Sequence, residues 1–227
     1  MKQLPLAIGA IGAGPEQSFD SYVPGTNGAA LAHLRLGGVA GAPVSYMWGA
    51  SGTGKTHLLR ALVRRTHEQG QRSGWFAASD RLPWELDEAW SLVVIDDCDE
   101  LDEARQHAAF ALFVDAATLG IPVAAAGRVP PVDLPLREDL RTRLGWGHVF
   151  ALQPLAEAEM RAALRREADR RGVFLSDEVM DYLLTRFERN LQPLMAQLER
   201  LDRFSLANKR AITVPMLKLM LAEEGAA

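Results

Sequence analysis

Apolar residues recur along the chain in two rhythms, and the rhythm changes near Pro154. Ahead of it, short apolar runs alternate with longer amphipathic stretches. "VSYMW" (44–48) predicts a buried strand that runs straight into glycines. "THLLRALVRRTHEQG" sets Leu58, Leu59, Leu62 and Val63 on one helical face, with Gly70 as a stop. "GWFAAS" (74–79), "SLVVID" (91–96) and "IPVAAA" (121–126) predict three more strands, and residues 104–119 predict a helix. "SLVVID" is apolar along most of its length, as a strand covered on both faces should be. Strands alternating with helices imply an α/β fold with a parallel sheet.

Beyond Pro154 the pattern is helical only. "AEAEMRAALRREADRRG" (156–172) ends at a glycine, and Ser176 is placed to cap "DEVMDYLLTRF", whose acids fall in the first turn. Pro193 and Pro215 suit the first turns of two further helices. The expected organisation is residues 1–17 as a terminal peptide and linker, 18–153 as an α/β domain and 154–227 as a small all-α domain. At the amino end, "MKQLPLAIGAIGAG" crowds apolar residues ahead of glycines. A secretory signal, a first strand and a docking peptide all compete for it. Pro5, Gly9 and Gly12 argue against the helical core of a signal.

The 227 residues and 48% hydrophobic content allow a sizeable core. A formal net charge of −4 does not suggest a protein that coats nucleic acid by bulk charge. Cys98 is the only cysteine, so no internal disulfide forms, and no stretch has the length of a membrane span. No membrane partner is expected. The five histidines show no metal-ligand spacing, and Cys98 reads as a small packing residue.

"GASGTGKT" (49–56) matches G-x-x-x-x-G-K-[ST] between a predicted strand and a predicted helix, the context this motif requires. Gly49 and Gly54 allow backbone angles that let successive N–H groups converge on phosphate oxygens, and Gly52 and Thr53 are further nucleotide-binding candidates in the same loop. Lys55 offers a charge to the β- and γ-phosphates, and the Thr56 hydroxyl can ligate Mg²⁺. The helix start adds its positive dipole end. The cofactors expected are ADP or ATP with Mg²⁺. "LVVIDD" supplies the partner motif: Asp96 at a strand end is placed to hold Mg²⁺, and Asp97 either orients the attacking water or is an ordinary loop carboxylate.

In this order the motifs resemble the AAA+ ATPases and, within them, the replication initiator DnaA. The resemblance rests on "SFDSYVPGTNGAAL" (18–31), "GKTHLL" (54–59), "VIDD" (94–97) and "LRTRLGWGHVFALQPL" (140–155), and it covers residues 18 to about 222. It implies an AAA+ module with a parallel sheet flanked by helices, followed by a helical lid. It also implies an adenine pocket that includes Val23 and His57. Few residues follow the lid, where DnaA has a helix-turn-helix domain, so the nearer resemblance is to the short Hda-like paralogues of DnaA. Those pair the module with an amino-terminal peptide that binds the DNA polymerase sliding clamp, its beta subunit.

The resemblance therefore reads "QLPL" as such a peptide. Leu4 and Leu6 would be anchors, each worth roughly 1.5–3 kcal/mol when fully buried, and Gln3 would bond at the groove's rim. Pro5 favours an extended shape. A terminal arm packed on its own domain is the competing reading. DnaA and the clamp are the implied partners, DNA being reached through the clamp. A homo-oligomer is left open, and the compartment implied is the cytoplasm.

The same resemblance assigns Arg143 in "TRLGWG" as an arginine finger acting on a neighbouring subunit's nucleotide, with Arg141 the second choice. Both could instead pair with Glu138 or Asp139. Trp146 reads as a packing residue. The other clustered arginines read as solvated helix faces with partners such as Glu167 for Arg171. Two positions depart from the family: Gly127 stands where DnaA has a sensor aspartate, and Gln192 in "NLQPL" stands where the lid usually offers an arginine. A neutral amide cannot replace a guanidinium at developing charge. The expectation is a chain that binds nucleotide, hydrolyses it slowly, and acts as a negative regulator by stimulating hydrolysis of DnaA-bound ATP. An autonomous ATPase and a DnaA-like adaptor without stimulation are the alternatives.

Overall fold

The structure is a computed structural model that describes residues 17–36, 44–187 and 190–224. Five parallel strands form one sheet: β1 (Val44–Trp48), β2 (Arg72–Ala77), β3 (Trp90–Asp96), β4 (Val123–Gly127) and β5 (His148–Ala151), in the order β2-β3-β4-β1-β5. The phosphate-loop strand β1 lies between β4 and β5, so the loop that follows it leaves from the interior of the sheet.

The period-two geometry of a strand sends alternate side chains to opposite faces, and both faces here are dry. Val44 and Tyr46 of β1, Val93 and Ile95 of β3, and Val123 and Ala125 of β4 enter one cluster. There they meet Leu112 and Phe113 of α3 (Glu103–Leu119) and Leu140 and Leu144 of α4 (Glu138–Gly145). Met47, Leu92, Val94, Ala124 and Ala126 enter the opposite cluster. Their partners are Leu34 of α1 (Gly28–Arg35) and Leu58, Leu59 and Leu62 of α2 (Lys55–Glu68). The alanines of β4 let helices approach a central strand closely.

Four helices form the lid: α5 (Glu157–Arg170), α6 (Asp177–Arg186), α7 (Leu191–Asn208) and α8 (Val214–Glu224). They enclose a third cluster of their own, built on Leu164, Met180, Leu183, Leu194, Leu198 and Leu217. Ser176 caps α6 by accepting from the Val179 amide at 3.4 Å, and Asn190 caps α7 by accepting from the Gln192 amide at 3.1 Å. The lid touches the α/β part beside the phosphate loop: a Cβ on Gly52 would lie 2.7 Å from Asn190, and one on Gly25 would lie 2.8 Å from Leu155.

α1 and β5 extend the pattern read from the sequence. α1 buries only Ala30 and Leu34, and β5 is a four-residue edge strand with most positions exposed. Neither offers the long apolar face that periodicity detects. Among the described residues no helix is long and apolar enough to cross a membrane.

Candidate functional site

The chain leaves β1 through three glycines with positive φ: Gly49 at 156°, Gly52 at 81° and Gly54 at 90°. For the last two the left-handed region excludes most side chains. Close approach adds to this, since a Cβ on Gly49 would overlap the Leu152 carbonyl and one on Gly54 would lie 2.5 Å from the Tyr22 ring. The loop thus curls into α2, with the Gly49 amide donating to the Gly127 carbonyl at 3.3 Å. Lys55 Nζ donates to the carbonyls of Gly49 at 2.8 Å and Ala50 at 3.0 Å. Thr53 is buried and donates its hydroxyl to Ala50 at 3.0 Å.

The Thr56 hydroxyl donates to Asp96 Oδ2 at 2.7 Å, bringing together the two side chains expected at Mg²⁺. Asp96 is 3% exposed, and its other oxygen accepts from the Asp97 amide at 3.0 Å. Burial pushes the Asp96 carboxyl up, against the lowering effect of the Thr56 bond. Burial pushes the Lys55 ammonium down, against the pull of Asp96, Asp99 and Asp97. Each group has lost water without gaining a full-charge contact, so a bound metal or phosphate would favour both charged forms. Asp97 takes a left-handed backbone, φ 51° and ψ 47°, which Asp tolerates better than most residues. The cradle, the lysine and the Thr56–Asp96 pair fit a Mg²⁺-nucleotide.

The residues expected to border an adenine lie close by. His57 Nε2 donates to the Ser18 carbonyl at 2.8 Å, and its ring meets Tyr22 edge-on at 5.4 Å. Burial lowers the His57 pKa, favouring the neutral ring. Val23 is half-buried beside Tyr22 in the same segment. Two residues that the motifs did not single out organise this side. The Tyr22 hydroxyl donates to the Thr53 carbonyl at 3.2 Å. Asn27 is tied to Gln153 in both directions, donating to its carbonyl at 2.9 Å and accepting from its amide at 2.8 Å. Asn27 so joins the segment before the phosphate loop to the connection that leads from β5 into the lid.

Gly127 is closed to a side chain, because a Cβ there would overlap the Tyr46 hydroxyl, which donates to the Val129 carbonyl at 2.8 Å. Tyr46 is fully buried and burial raises its pKa, so it acts as a neutral donor. Arg128 does not turn freely to the loop. It pairs with Glu100 and, at 3.3 Å, with Asp99. Gln192 is exposed on the first turn of α7, and its neighbour Asn190 is the lid residue against Gly52.

The finger candidate stands apart. Arg143 is half-buried in the last turn of α4, with its guanidinium 5.1 Å from the centre of the Phe110 ring. Glu138 and Asp139 do not pair with it; Asp139 pairs instead with Arg137 at 2.7 Å. Arg141 donates to the Val132 carbonyl at 3.3 Å. Phe110, Arg137, Glu138, Asp139, Thr142, Arg143 and Trp146 line an open cleft of about 580 Å³. Trp146 is not the packing residue expected: it is 73% exposed. Leu140 and Leu144 already fill the core beneath, and Gly147 passes so near Val44 that a Cβ would overlap its carbonyl oxygen, leaving the indole outside. Gln3, Leu4 and Leu6 lie outside the described residues.

Residues 157–221 match the family model of the Hda lid domain. In structure the chain is similar to domain III of the Thermotoga maritima replication initiation protein DnaA, with a TM-score of 0.75 and 20% identity, over 92% of this chain and 97% of that one. It is similar to AMPPCP-bound DnaA from Aquifex aeolicus, with a TM-score of 0.67 and 20% identity, over 82% of this chain and 65% of that longer one. A Thermotoga maritima RuvB variant matches with a TM-score of 0.66 and 16% identity, over 91% and 72%. The chain thus has the fold of DnaA domain III, and its residues 157–221 match the model of the Hda lid domain.

Proposed function

We propose that the chain is a negative regulator of DNA replication initiation that, with the DNA-loaded sliding clamp, stimulates hydrolysis of DnaA-bound ATP by presenting Arg143 in trans. The Hda-type lid and the DnaA-like module support the choice of system. The observation that carries the mechanism is the state of Arg143. Its guanidinium lines an open cleft and rests on an aromatic ring, with no ion pair or hydrogen bond of its side chain among the described residues. A cation so placed is ready for an anion from another molecule. Supplied to a γ-phosphate whose charge builds in the transition state, it is worth roughly 10³–10⁵ in rate.

The chain's own phosphate loop serves in this reading to bind ADP or ATP and hold the lid down. The loop amides and Lys55 would take the phosphates, and Thr56 and Asp96 would hold Mg²⁺. When bound, Mg²⁺ would neutralise charge on the β- and γ-oxygens. His57 and Val23 would border the adenine. The nucleotide analogue bound by Aquifex aeolicus DnaA supports this role. Turnover here would be slow: Tyr46 fills the sensor position at Gly127, and Gln192 brings no charge. Asp97 would orient the attacking water. Gln3, Leu4 and Leu6 would dock on the clamp, so that the chain reaches DNA through the ring and acts once the ring is loaded.

The test is reconstitution. ATP-bound DnaA, clamp loaded on DNA and this chain are combined, and phosphate release is followed. Stimulation that needs the loaded clamp and falls on Leu4→Ala or Leu6→Ala supports the reading. DnaA-bound ATP that stays intact with every component present contradicts it.

A further inference from the structure

The cleft beside Trp146 holds a second guanidinium. Arg137, just ahead of α4, lies 5.7 Å from the centre of the Phe110 ring that carries Arg143 at 5.1 Å. Two cations, six residues apart in sequence, share one aromatic shelf. They would repel, but the negative face of the ring attracts both. Asp139 also holds one edge of Arg137 at 2.7 Å, His107 Nδ1 meets its Nη1 at 2.5 Å, and the Arg137 amide donates to Gln106 at 3.0 Å. The exposed Glu138 stands on the same rim. Arg141, nearer Arg143 in sequence, turns to the Val132 carbonyl and does not line the cleft. Position in the finger motif and position in space therefore disagree about which arginine accompanies Arg143.

We propose that Arg137 is a second cation that this cleft lays on a neighbouring subunit's nucleoside triphosphate, and that Phe110 is the positioning residue that fixes both guanidinium groups. The proposal rests on the reading of Arg143 given above. In the step it serves, a bond forms between water oxygen and the γ-phosphorus, and the bond from that phosphorus to the bridging oxygen breaks. ADP and phosphate leave, and the water's protons end on phosphate and solvent. Neither arginine gives or takes a proton. Each offsets charge on phosphate oxygens, and two fixed donors do so without reorganising during the reaction. Phe110 contributes rigidity: a guanidinium stacked on a ring loses fewer alternative positions on engaging its anion than a free one.

The experiment uses the full chain, clamp loaded on DNA and ATP-bound DnaA, with Arg143→Ala, Arg137→Ala, Arg137→Lys, Arg141→Ala, Phe110→Ala and Phe110→Trp compared. Arg137→Ala is expected to lower the hydrolysis rate at saturating chain roughly tenfold or more, with less effect on the half-saturating concentration. Lysine, a point charge without the planar fork, restores little of it. Phe110→Ala falls in the same direction and Phe110→Trp retains most of the rate, as a stacking role requires. Arg141→Ala stays within about twofold. If Arg137→Ala fails to fold, Arg137→Lys carries the same test. A binding readout runs beside it: retention of the chain on immobilised DnaA loaded with AMPPCP relative to ADP, a ratio that Arg137→Ala should lower. Arg137 variants that match the unaltered chain in both measurements, while Arg143→Ala loses stimulation, would overturn this proposal and leave the finger reading standing. Arg143→Ala with undiminished stimulation would instead remove the reading on which it rests.

Discussion

The Thr56 hydroxyl and the Asp96 carboxylate lie 2.7 Å apart, joining the first turn of the helix after the phosphate loop to the end of the third strand. The bond is half-buried and partly offsets the cost of desolvating Asp96. It brings together the two oxygens that would hold Mg²⁺ in the proposed reading. Thr56→Val removes the hydroxyl that, in the proposed reading, would ligate Mg²⁺, and lets the Asp96 pKa rise further. We expect Mg²⁺-dependent nucleotide affinity to fall roughly tenfold or more, with little change in EDTA. Calorimetric titration with and without the metal measures the difference, and equal losses in both would contradict the assignment.

At Gly127 the space for a side chain is taken by the Tyr46 hydroxyl. Gly127→Asp, which would restore a DnaA-like sensor residue, is expected to destabilise the chain by about 1–3 kcal/mol through overpacking. It should not restore hydrolysis. Combined with Tyr46→Phe, the loss should be smaller than the sum of the two single losses. Urea unfolding of the four chains measures this, and simple additivity would sink the idea that Tyr46 closes the position.

Gly52 combines a φ of 81° with a Cβ position only 2.7 Å from Asn190 of the lid. Gly52→Ala should therefore both strain the loop and push the lid away. The expected outcome is loss of the rise in melting temperature that added ADP produces, with less effect on the melting temperature without nucleotide. Thermal scans with and without ADP are the check; a retained ADP shift would show that the loop and lid tolerate the extra methyl.

Glu167 is held at a pKa of about 2, first by its bond to Arg170 and then by Arg171. The folded state binds this proton more weakly than the unfolded chain, whose carboxyl titrates near 4.5. Its stabilising contribution is therefore complete near neutral pH and is lost as pH falls from about 4.5 towards 2. With Arg170 largely exposed, the contribution is about 0.5–1 kcal/mol. Glu167→Gln should be less stable than the parent at pH 7 by that amount, with the gap closing on acidification. Urea midpoints across pH measure it, and a gap independent of pH would contradict the ion-pair account.

Where the sequence carried a strong local signal, the structure follows it. "VSYMW" forms β1 over the same five residues, and "GASGTGKT" forms a curled loop because three of its positions need glycine geometry. α1 and β5 left little trace, since a helix that buries two residues and an edge strand of four have weak periodicity. The site was legible as far as its motifs reached. Tyr22 and Asn27 lie within the 18–31 tract but were not singled out there, Tyr46 and Phe110 lie outside the motifs, and all four act through space, across 31, 126, 83 and 33 positions of sequence respectively. Trp146 misled for a related reason: an aromatic between glycines looks buried unless one knows that Leu140 and Leu144 already occupy the core below it.

The most direct measurement is phosphate release from ATP-bound DnaA, with clamp loaded on DNA, driven by the unaltered chain or by Arg143→Ala at equal clamp occupancy. The rate with Arg143→Ala should fall towards that of DnaA alone, a loss of roughly 10³-fold or more if the stimulation is of that size, while clamp retention and nucleotide binding by the variant remain. An Arg143→Ala chain that still drives hydrolysis at the unaltered rate would contradict the account.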